Sequence, residues 1–248
     1  MGLKGKIAIV TGSATGIGKA TAILFAKNGA VPVIADIDIS GAEQVKKEIE
    51  KIGISTAAIE VDVSDVDAIK DMVNSVVDRF GTVDILVNNA AVVHDTAIED
   101  IDENEWDRIM AINLKSVFFC TQQVLPYMIK KRWGRIINLS SIAGRMGGYA
   151  GGLGYTASKA GIIGLTMGFA RRVAEHNITV NVIAPGPTKT EILKNIPEER
   201  MAKVIDLIPL KRLGRPENIG ETVVFLATEG ADFITGAVID VNGGIFMG

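Results

Sequence analysis

Tyr155 and Lys159 stand four positions apart in the run Tyr-Thr-Ala-Ser-Lys, a spacing that sets a phenol and an ammonium side by side on one helix face. A free tyrosine has a pKa of about 10, too high for proton transfer near neutrality. A neighbouring cation stabilises the phenolate and brings that value down toward the range where general acid–base chemistry is efficient. Such a pair can pass a proton to or from a substrate oxygen. The two histidines and the single cysteine offer less. His94 falls where it could touch a substrate or sit on an exposed loop, and His176, at a helix end, suits the helix dipole better than catalysis. These residues are too few for a Cys/His zinc site, so no metal centre is expected.

The elements that must position this pair begin near the N-terminus. Lys6–Val10 is a short apolar run of strand character that leads into Thr11-Gly12-Ser13-Ala14-Thr15-Gly16-Ile17-Gly18 and then a helical pattern ending at Gly29. Strand, glycine turn and helix form the setting of a dinucleotide-binding turn. Gly12 permits the tight turn, Gly16 lets backbone N–H groups approach a pyrophosphate, and Gly18 allows close helix–strand packing. Thr15 and Ile17, within the turn, are assigned to the cofactor with them. The helix N-terminus adds oriented donors and partial positive charge. A second strand, Val31–Ala35, ends at Asp36, placed to accept hydrogen bonds from the adenosine ribose and to repel a 2′-phosphate. No Arg or Lys in the turn or directly after Asp36 would welcome that phosphate, so NAD is expected over NADP.

The pattern continues without a linker. Strands are expected near 6–11, 31–36, 57–61, 84–88, 134–139, 178–183 and 237–241, and helices near 17–28, 41–52, 66–80, 105–131, 155–175 and 216–228. Alternation of this kind predicts one α/β domain over 1–248, a doubly wound parallel sheet of about seven strands with helices on both faces. Ligands then bind beyond the carboxyl ends of the strands. Residues 187–213 fit no strand, and their scattered apolar residues, Ile192, Leu193 and Ile196 among them, suit either a substrate cover or an ordinary surface helix pair.

Charge and composition narrow the partners. The net charge of −3 and the lack of a long basic block indicate neither nucleic acid nor a membrane surface. Ser116–Ile129, the longest stretch free of charge, is too short to span a bilayer, and no signal peptide is read at the N-terminus. A lone Cys120 suits a reducing cytoplasm. Gly161, Gly164 and Gly168 recur at helical spacing beside Ala157 and Ala160, and the mean hydropathy is +0.29. Both point to a helix face buried between subunits, with packing on the protein's own sheet as the alternative.

Further motifs follow in order: Asp62-Val63, Asn88-Asn89-Ala90, Asn113, Ser140-Ser141, Pro185-Gly186, Thr188 and Thr190. Together with the glycine turn and Tyr155/Lys159 they resemble the short-chain dehydrogenase/reductase family, of its shorter single-domain type, over essentially the whole chain. The resemblance implies a Rossmann fold, hydride transfer between nicotinamide and a substrate carbon, and Tyr155 as the general acid/base. It implies that Lys159 holds the nicotinamide ribose and lowers the Tyr155 pKa, that Ser141 orients the substrate oxygen, and that Asn113 supports a water chain reaching Lys159. Ser141 rather than Ser140 is chosen because the family places its active serine second, and strand alternation turns the two side chains apart. Asp62 and Val63 would flank the adenine, Asn89 and Ala90 the ribose, and Pro185, Gly186, Thr188 and Thr190 the nicotinamide end. Three departures stand out: Ala91 for the usual glycine, a Ser141–Tyr155 interval one residue longer than is common, and Asn242-Gly-Gly for Asp-Gly-Gly.

The leading functional expectation is an NAD(H)-dependent oxidoreductase interconverting a small, mainly apolar secondary alcohol and ketone, cytoplasmic and homotetrameric as family members often are. The alternative within enzymes is a 3-oxoacyl-[acyl-carrier-protein] reductase, with Lys130, Lys131, Arg132, Arg171 and Arg172 available to an acidic carrier protein. An alternative of another class, a non-catalytic NAD-binding sensor or scaffold, would be expected to lose Ser141, Tyr155 or Lys159, and all three are present.

Overall fold

A computed structural model describes residues 2–147, 152–191 and 197–248. Ile192, Leu193, Ile196 and residues 148–151 of the loop between Ser141 and Tyr155 lie outside the described residues. Seven strands, β1 (Ile7–Thr11), β2 (Val31–Asp36), β3 (Ala57–Glu60), β4 (Ile85–Asn88), β5 (Gly134–Leu139), β6 (Ile178–Pro185) and β7 (Val238–Val241), form one sheet in the order β3-β2-β1-β4-β5-β6-β7. Every pairing is parallel. The strands β1, β4, β5 and β6 are buried along their full length, which is why they read as continuous apolar, β-branched runs rather than alternating ones.

Helices cover both faces. On one lie α1 (Gly16–Lys27), α2 (Ile39–Glu50) and α9 (Pro216–Ala227), where Phe25, Val223 and Leu226 pack on Ala8, Val10 and Ile85. On the other lie α3 (Val66–Phe80), α5 (Ser116–Lys131) and α7 (Leu153–Val173), where Met72, Val76, Val124 and Met128 pack on Ile9, Leu86 and Ile136. The order of winding reverses between β1 and β4, so the carboxyl ends of these strands frame a crevice.

Three elements depart from the expected pattern. The single helix expected over 105–131 is α4 (Glu103–Met110), a π turn (Ala111–Lys115) and α5. A short α6 (Ala143–Met146) follows Ser141. Within the 187–213 segment α8 (Glu198–Leu207) forms, and Thr188 bridges Gly214.

A buried amide ladder ties the layers below the crevice. Asn88 Nδ2 donates to Asn138 Oδ1 at 2.8 Å and to Thr121 Oγ1 at 3.3 Å, and Asn138 Nδ2 donates to Thr166 Oγ1 at 2.9 Å. Polar groups this deep persist only when they satisfy one another, so the ladder fixes β4 and β5 against α5 and α7.

Candidate active site

The cofactor half of the crevice is built largely from main chain. Gly12 has φ +63° and Gly16 φ +56°, a region costly for side-chain-bearing residues. Gly18 is excluded from change by space, because a Cβ there would lie 2.2 Å from the Gly12 carbonyl oxygen. Thr11, which the sequence reading passed over, is the turn's keystone. Its hydroxyl accepts from the N–H of Asn89 at 3.0 Å and of Ala90 at 3.1 Å and donates to the Val87 carbonyl. The Asn89 side chain braces the same turn, its amide nitrogen donating to the carbonyls of Thr11 and Gly12 at 2.9 and 2.8 Å. That amide group supports the turn from beneath instead of reaching out to a ribose.

Whether this half fits a dinucleotide is decided by its donors. The caps of α2, α3 and α4 are filled by Asp38, Asp65 and Asp102. Thr15, the cap of α1, makes no such bond, and no acid stands in the first turn of α1. A long helix whose leading N–H groups have no carboxylate suits a pyrophosphate. Asp36 accepts from Ala14 N at 2.8 Å and Asp38 N at 3.0 Å, which pins its carboxylate at the tip of β2. Asp62 accepts from both the N–H and the hydroxyl of Ser64, and those bonds hold its carboxyl below the usual range, while Val63 is buried beside it. Thr190 lies over Gly16, with its methyl 3.4 Å from where a Cβ would stand. A cleft of about 380 Å³ opens there, lined by Gly16, Lys19, Ala20, Lys189 and Thr190 among others, and it includes none of Ser141, Tyr155 and Lys159. The Gly186 N–H is donated to Val241, and the Thr188 hydroxyl donates to the Gly186 carbonyl, so the strand-end turn after Pro185 is rigid. The residues present fit the cofactor.

The other half is built from side chains. Lys159 is 3% exposed, and its ammonium donates to the Leu139 carbonyl at 2.7 Å. It lies 5.5 Å from the centroid of the Tyr155 ring. Ser140 is committed to structure, its hydroxyl donating to the Lys159 carbonyl at 2.7 Å. The Ser141 hydroxyl accepts from Ala143 N at 3.1 Å and stands near enough to the Tyr155 phenol to favour its ionised form. Asn113 is fully buried in the π turn, where it grips the Val92 backbone on both sides, accepting at 2.8 Å and donating at 2.9 Å. Its amide nitrogen also meets Ser158 Oγ at 3.2 Å. These bonds occupy the side chain, so its contact with this helix is through Ser158 rather than Lys159.

Burial works against charge on both members of the pair. It pushes the Tyr155 phenol up, with the nearby Ser141 hydroxyl offsetting only part, and it pushes the Lys159 ammonium down to about 7. The expected lowering of the tyrosine by its lysine neighbour is therefore not the dominant effect. A phenolate here is favoured only while Lys159 keeps its proton.

Other expectations resolve differently. Two of the basic residues offered to a carrier protein are committed or distant. Arg171 is sixteen positions along α7 from Tyr155, about 24 Å at the usual helical rise, and Lys131 is paired with the buried Asp84. His94 is held through its backbone carbonyl by Gly152 N at 2.6 Å, and its ring lies 3.9 Å from Glu105. Gly161 packs within the chain, since a Cβ there would meet Leu114 at 2.8 Å, whereas nothing lies within 4 Å at Gly164. Among the described residues no cluster of acids, histidines and cysteine could hold a metal, and no helix is long and apolar enough to cross a membrane.

Comparison with known proteins places this geometry. The sequence model of a family described as enoyl-(acyl carrier protein) reductase matches residues 12–246. The chain is 41% identical over 247 residues to the 3-oxoacyl-[acyl-carrier-protein] reductase of Thermotoga maritima, covering 100% of each. It is 43% identical over 245 residues to the protein of the same name from Staphylococcus epidermidis, covering 98% of this chain and 99% of that one. A crystal structure from Sinorhizobium meliloti 1021, provisionally labelled a short-chain alcohol dehydrogenase, superposes with a TM-score of 0.94 at 36% identity, covering 98% and 97% of the two chains.

Proposed function

This chain belongs to the short-chain dehydrogenase/reductase family of nicotinamide-dependent oxidoreductases acting on CH–OH donors, and from that premise we propose that it reduces a 3-oxoacyl thioester to the 3-hydroxyacyl thioester with NADH. The observation that carries the substrate is the end-to-end similarity to two 3-oxoacyl-[acyl-carrier-protein] reductases. It moves the substrate from the free ketone that the sequence alone favoured to a thioester. Asp36 carries the cofactor choice. Its carboxylate is pinned at the tip of β2, where it would accept from ribose hydroxyls and repel a 2′-phosphate.

When bound, the nicotinamide supplies the hydride to the 3-oxo carbon. Ser141 and Tyr155 hydrogen-bond the substrate oxygen, and as negative charge grows on it Tyr155 delivers the proton. Lys159 stabilises the phenolate left behind, and the Leu139 carbonyl keeps the ammonium beneath the ring. Asn113 holds the Val92 segment, and Ser158 of the helix bearing the pair, in register. The apolar face of α5 and α7 suits a second copy of the chain. Phe118, Ile129 and Met167 are exposed there, and Phe118 stacks at 5.5 Å on Phe169. Burying this face is the basis for a homotetramer, which light scattering would test.

The deciding experiment is a panel of carrier-bound 3-oxoacyl thioesters and of free cyclic, aromatic and medium-chain ketones, each with NADH and with NADPH. The thioester with NADH should exceed every free ketone in kcat/KM by more than about tenfold, a difference of roughly 1.4 kcal/mol. A free ketone equal to the thioester would restore the ketone-reductase reading, and a preference for NADPH would remove Asp36 as selector.

A further inference from the structure

Ser141 leads into a helix of only four residues, Ala143–Met146, too short to hold its place by its own hydrogen bonds. Its start is tied to β6 by the Ile142 N–H, which donates to the Pro185 carbonyl at 3.0 Å, and two further contacts hold its body. On one side Gly144 lies against α7 so closely that a Cβ would fall 2.6 Å from the Lys159 carbonyl carbon. On the other, Arg145 reaches β7, with Nη1 3.2 Å from Asp240 Oδ2, and its guanidinium lies 4.7 Å from the centre of the Phe246 ring. Both side chains of the ion pair are less than one-fifth exposed, at 19% and 18%, which separates it from the solvated pairs of the surface. Asp240 Oδ1 is buried without a hydrogen bond, so Arg145 is the partner that compensates this carboxylate. Asn242 shapes the tail beneath, its Nδ2 donating to the Phe246 carbonyl at 3.0 Å and its Oδ1 accepting from Gly244 N at 2.9 Å. An aspartate in its place could not donate that first bond.

We propose that Arg145 is a positioning residue of the proton-transfer centre: tied to Asp240 and stacked on Phe246, it holds α6 against the sheet and keeps Ser141 within hydrogen-bond reach of Tyr155. The proposal rests on the reading of Ser141 and Tyr155 as the reacting pair. Arg145 contacts Asp240 and Phe246 and acts on the pair through the α6 backbone.

The test compares Arg145→Met, Arg145→Lys, Asp240→Asn and the charge-reversed Arg145→Asp/Asp240→Arg protein. Three quantities are read: kcat and KM, the Kd for NADH, and the alkaline titration of Tyr155, taken as the absorbance difference with and without Tyr155→Phe in each background. Displacing Ser141 by an ångström costs up to about 100-fold in rate, so Arg145→Met should lower kcat by at least tenfold with KM and the NADH Kd changed less than threefold. Its Tyr155 titration should move to higher pH as Ser141 moves away from the phenol, Asp240→Asn should follow it, and Arg145→Lys and the reversed pair should recover part of both. A rise confined to KM would place Arg145 on the substrate and overturn the proposal. So would losses that only track a fall in Tm, or an unmoved Tyr155 titration. If the wild type turns over no thioester, the substrate reading fails while the Tyr155 titration still decides the role of Arg145.

Discussion

The two halves of the crevice are built by different means. From β1 to β4 the walls are main chain: the glycine turn, the bare N-terminus of α1, and hydrogen bonds from Thr11 and Asn89 that lock the turn to β4. From β5 to β7 they are side chains, Ser141, Tyr155 and Lys159, each placed by a separate element or bond. A backbone site is specified by steric room, and its failure is steric. A side-chain site is specified by burial and charge, and its failure is chemical. On this account the adenosine and pyrophosphate belong to the first half, and proton transfer, beside the nicotinamide end, to the second.

The largest expected effect breaks the second half alone. Tyr155→Phe keeps the ring and removes the proton, so kcat should fall by about 10²–10⁴-fold, the usual weight of general acid–base catalysis. Steady-state turnover within tenfold of wild type would exclude Tyr155 as the acid.

Gly18→Ala attacks the first half sterically. The added Cβ would stand 2.2 Å from the Gly12 carbonyl, so the turn must move. The NADH Kd should rise more than about tenfold, the scale of overpacking at a fixed backbone. The phenol titration should stay where it is, and a shift in it would show that the halves are coupled.

Asp36→Ala should weaken NADH by about 1.5–3 kcal/mol, the value of a hydrogen bond to a charged group, and narrow the gap to NADPH. Asp36→Asn is the intermediate case, since it removes the charge and one acceptor oxygen and so can serve the Ala14 N–H or the Asp38 N–H but not both. Equal wild-type efficiency with both cofactors would disprove the selector.

The smallest expected effect is the change in stability of Lys159→Met, which tests the electrostatics of the second half. The ammonium is held at about 7 against an ordinary 10.5. Below about 7 both states carry the proton and folding bears the whole cost of burying it. Between 7 and 10.5 the unfolded chain binds more protons, so wild-type stability rises with pH, and above 10.5 the cost is gone. The variant should therefore melt a few degrees higher than wild type near neutrality, with the gain fading toward alkaline pH. A gain that grew with pH would reverse the assigned direction. The same titration requires wild-type carbonyl reduction to decline as pH rises through about 7, where Lys159 loses its proton.

This division also explains what was legible in the sequence. The strands β1, β4, β5 and β6 are written as buried runs rich in β-branched residues, and the glycine turn is written in residue types that few other conformations require. The reading of Asp36 at a strand tip needed only its position. The π turn at Asn113 left no trace, because one extra residue in a helical turn barely disturbs apolar periodicity. Thr11 was invisible because its partners are backbone groups 78 and 79 positions away. The direction of the Tyr155 shift is not legible in the sequence, because adjacency to Lys159 can be read from spacing whereas the burial that outweighs it belongs to the fold. Gly161 looked like part of an intersubunit face, yet Leu114 of the same chain fills the space above it.

The separation of binding from proton transfer is tested most directly by a fluorescence titration of NADH into Tyr155→Phe, run beside Asp36→Ala and wild type. The account predicts a Kd for Tyr155→Phe within about threefold of wild type, less than 0.7 kcal/mol, and a weakening of tenfold or more for Asp36→Ala. A tenfold loss of NADH affinity in Tyr155→Phe would contradict it.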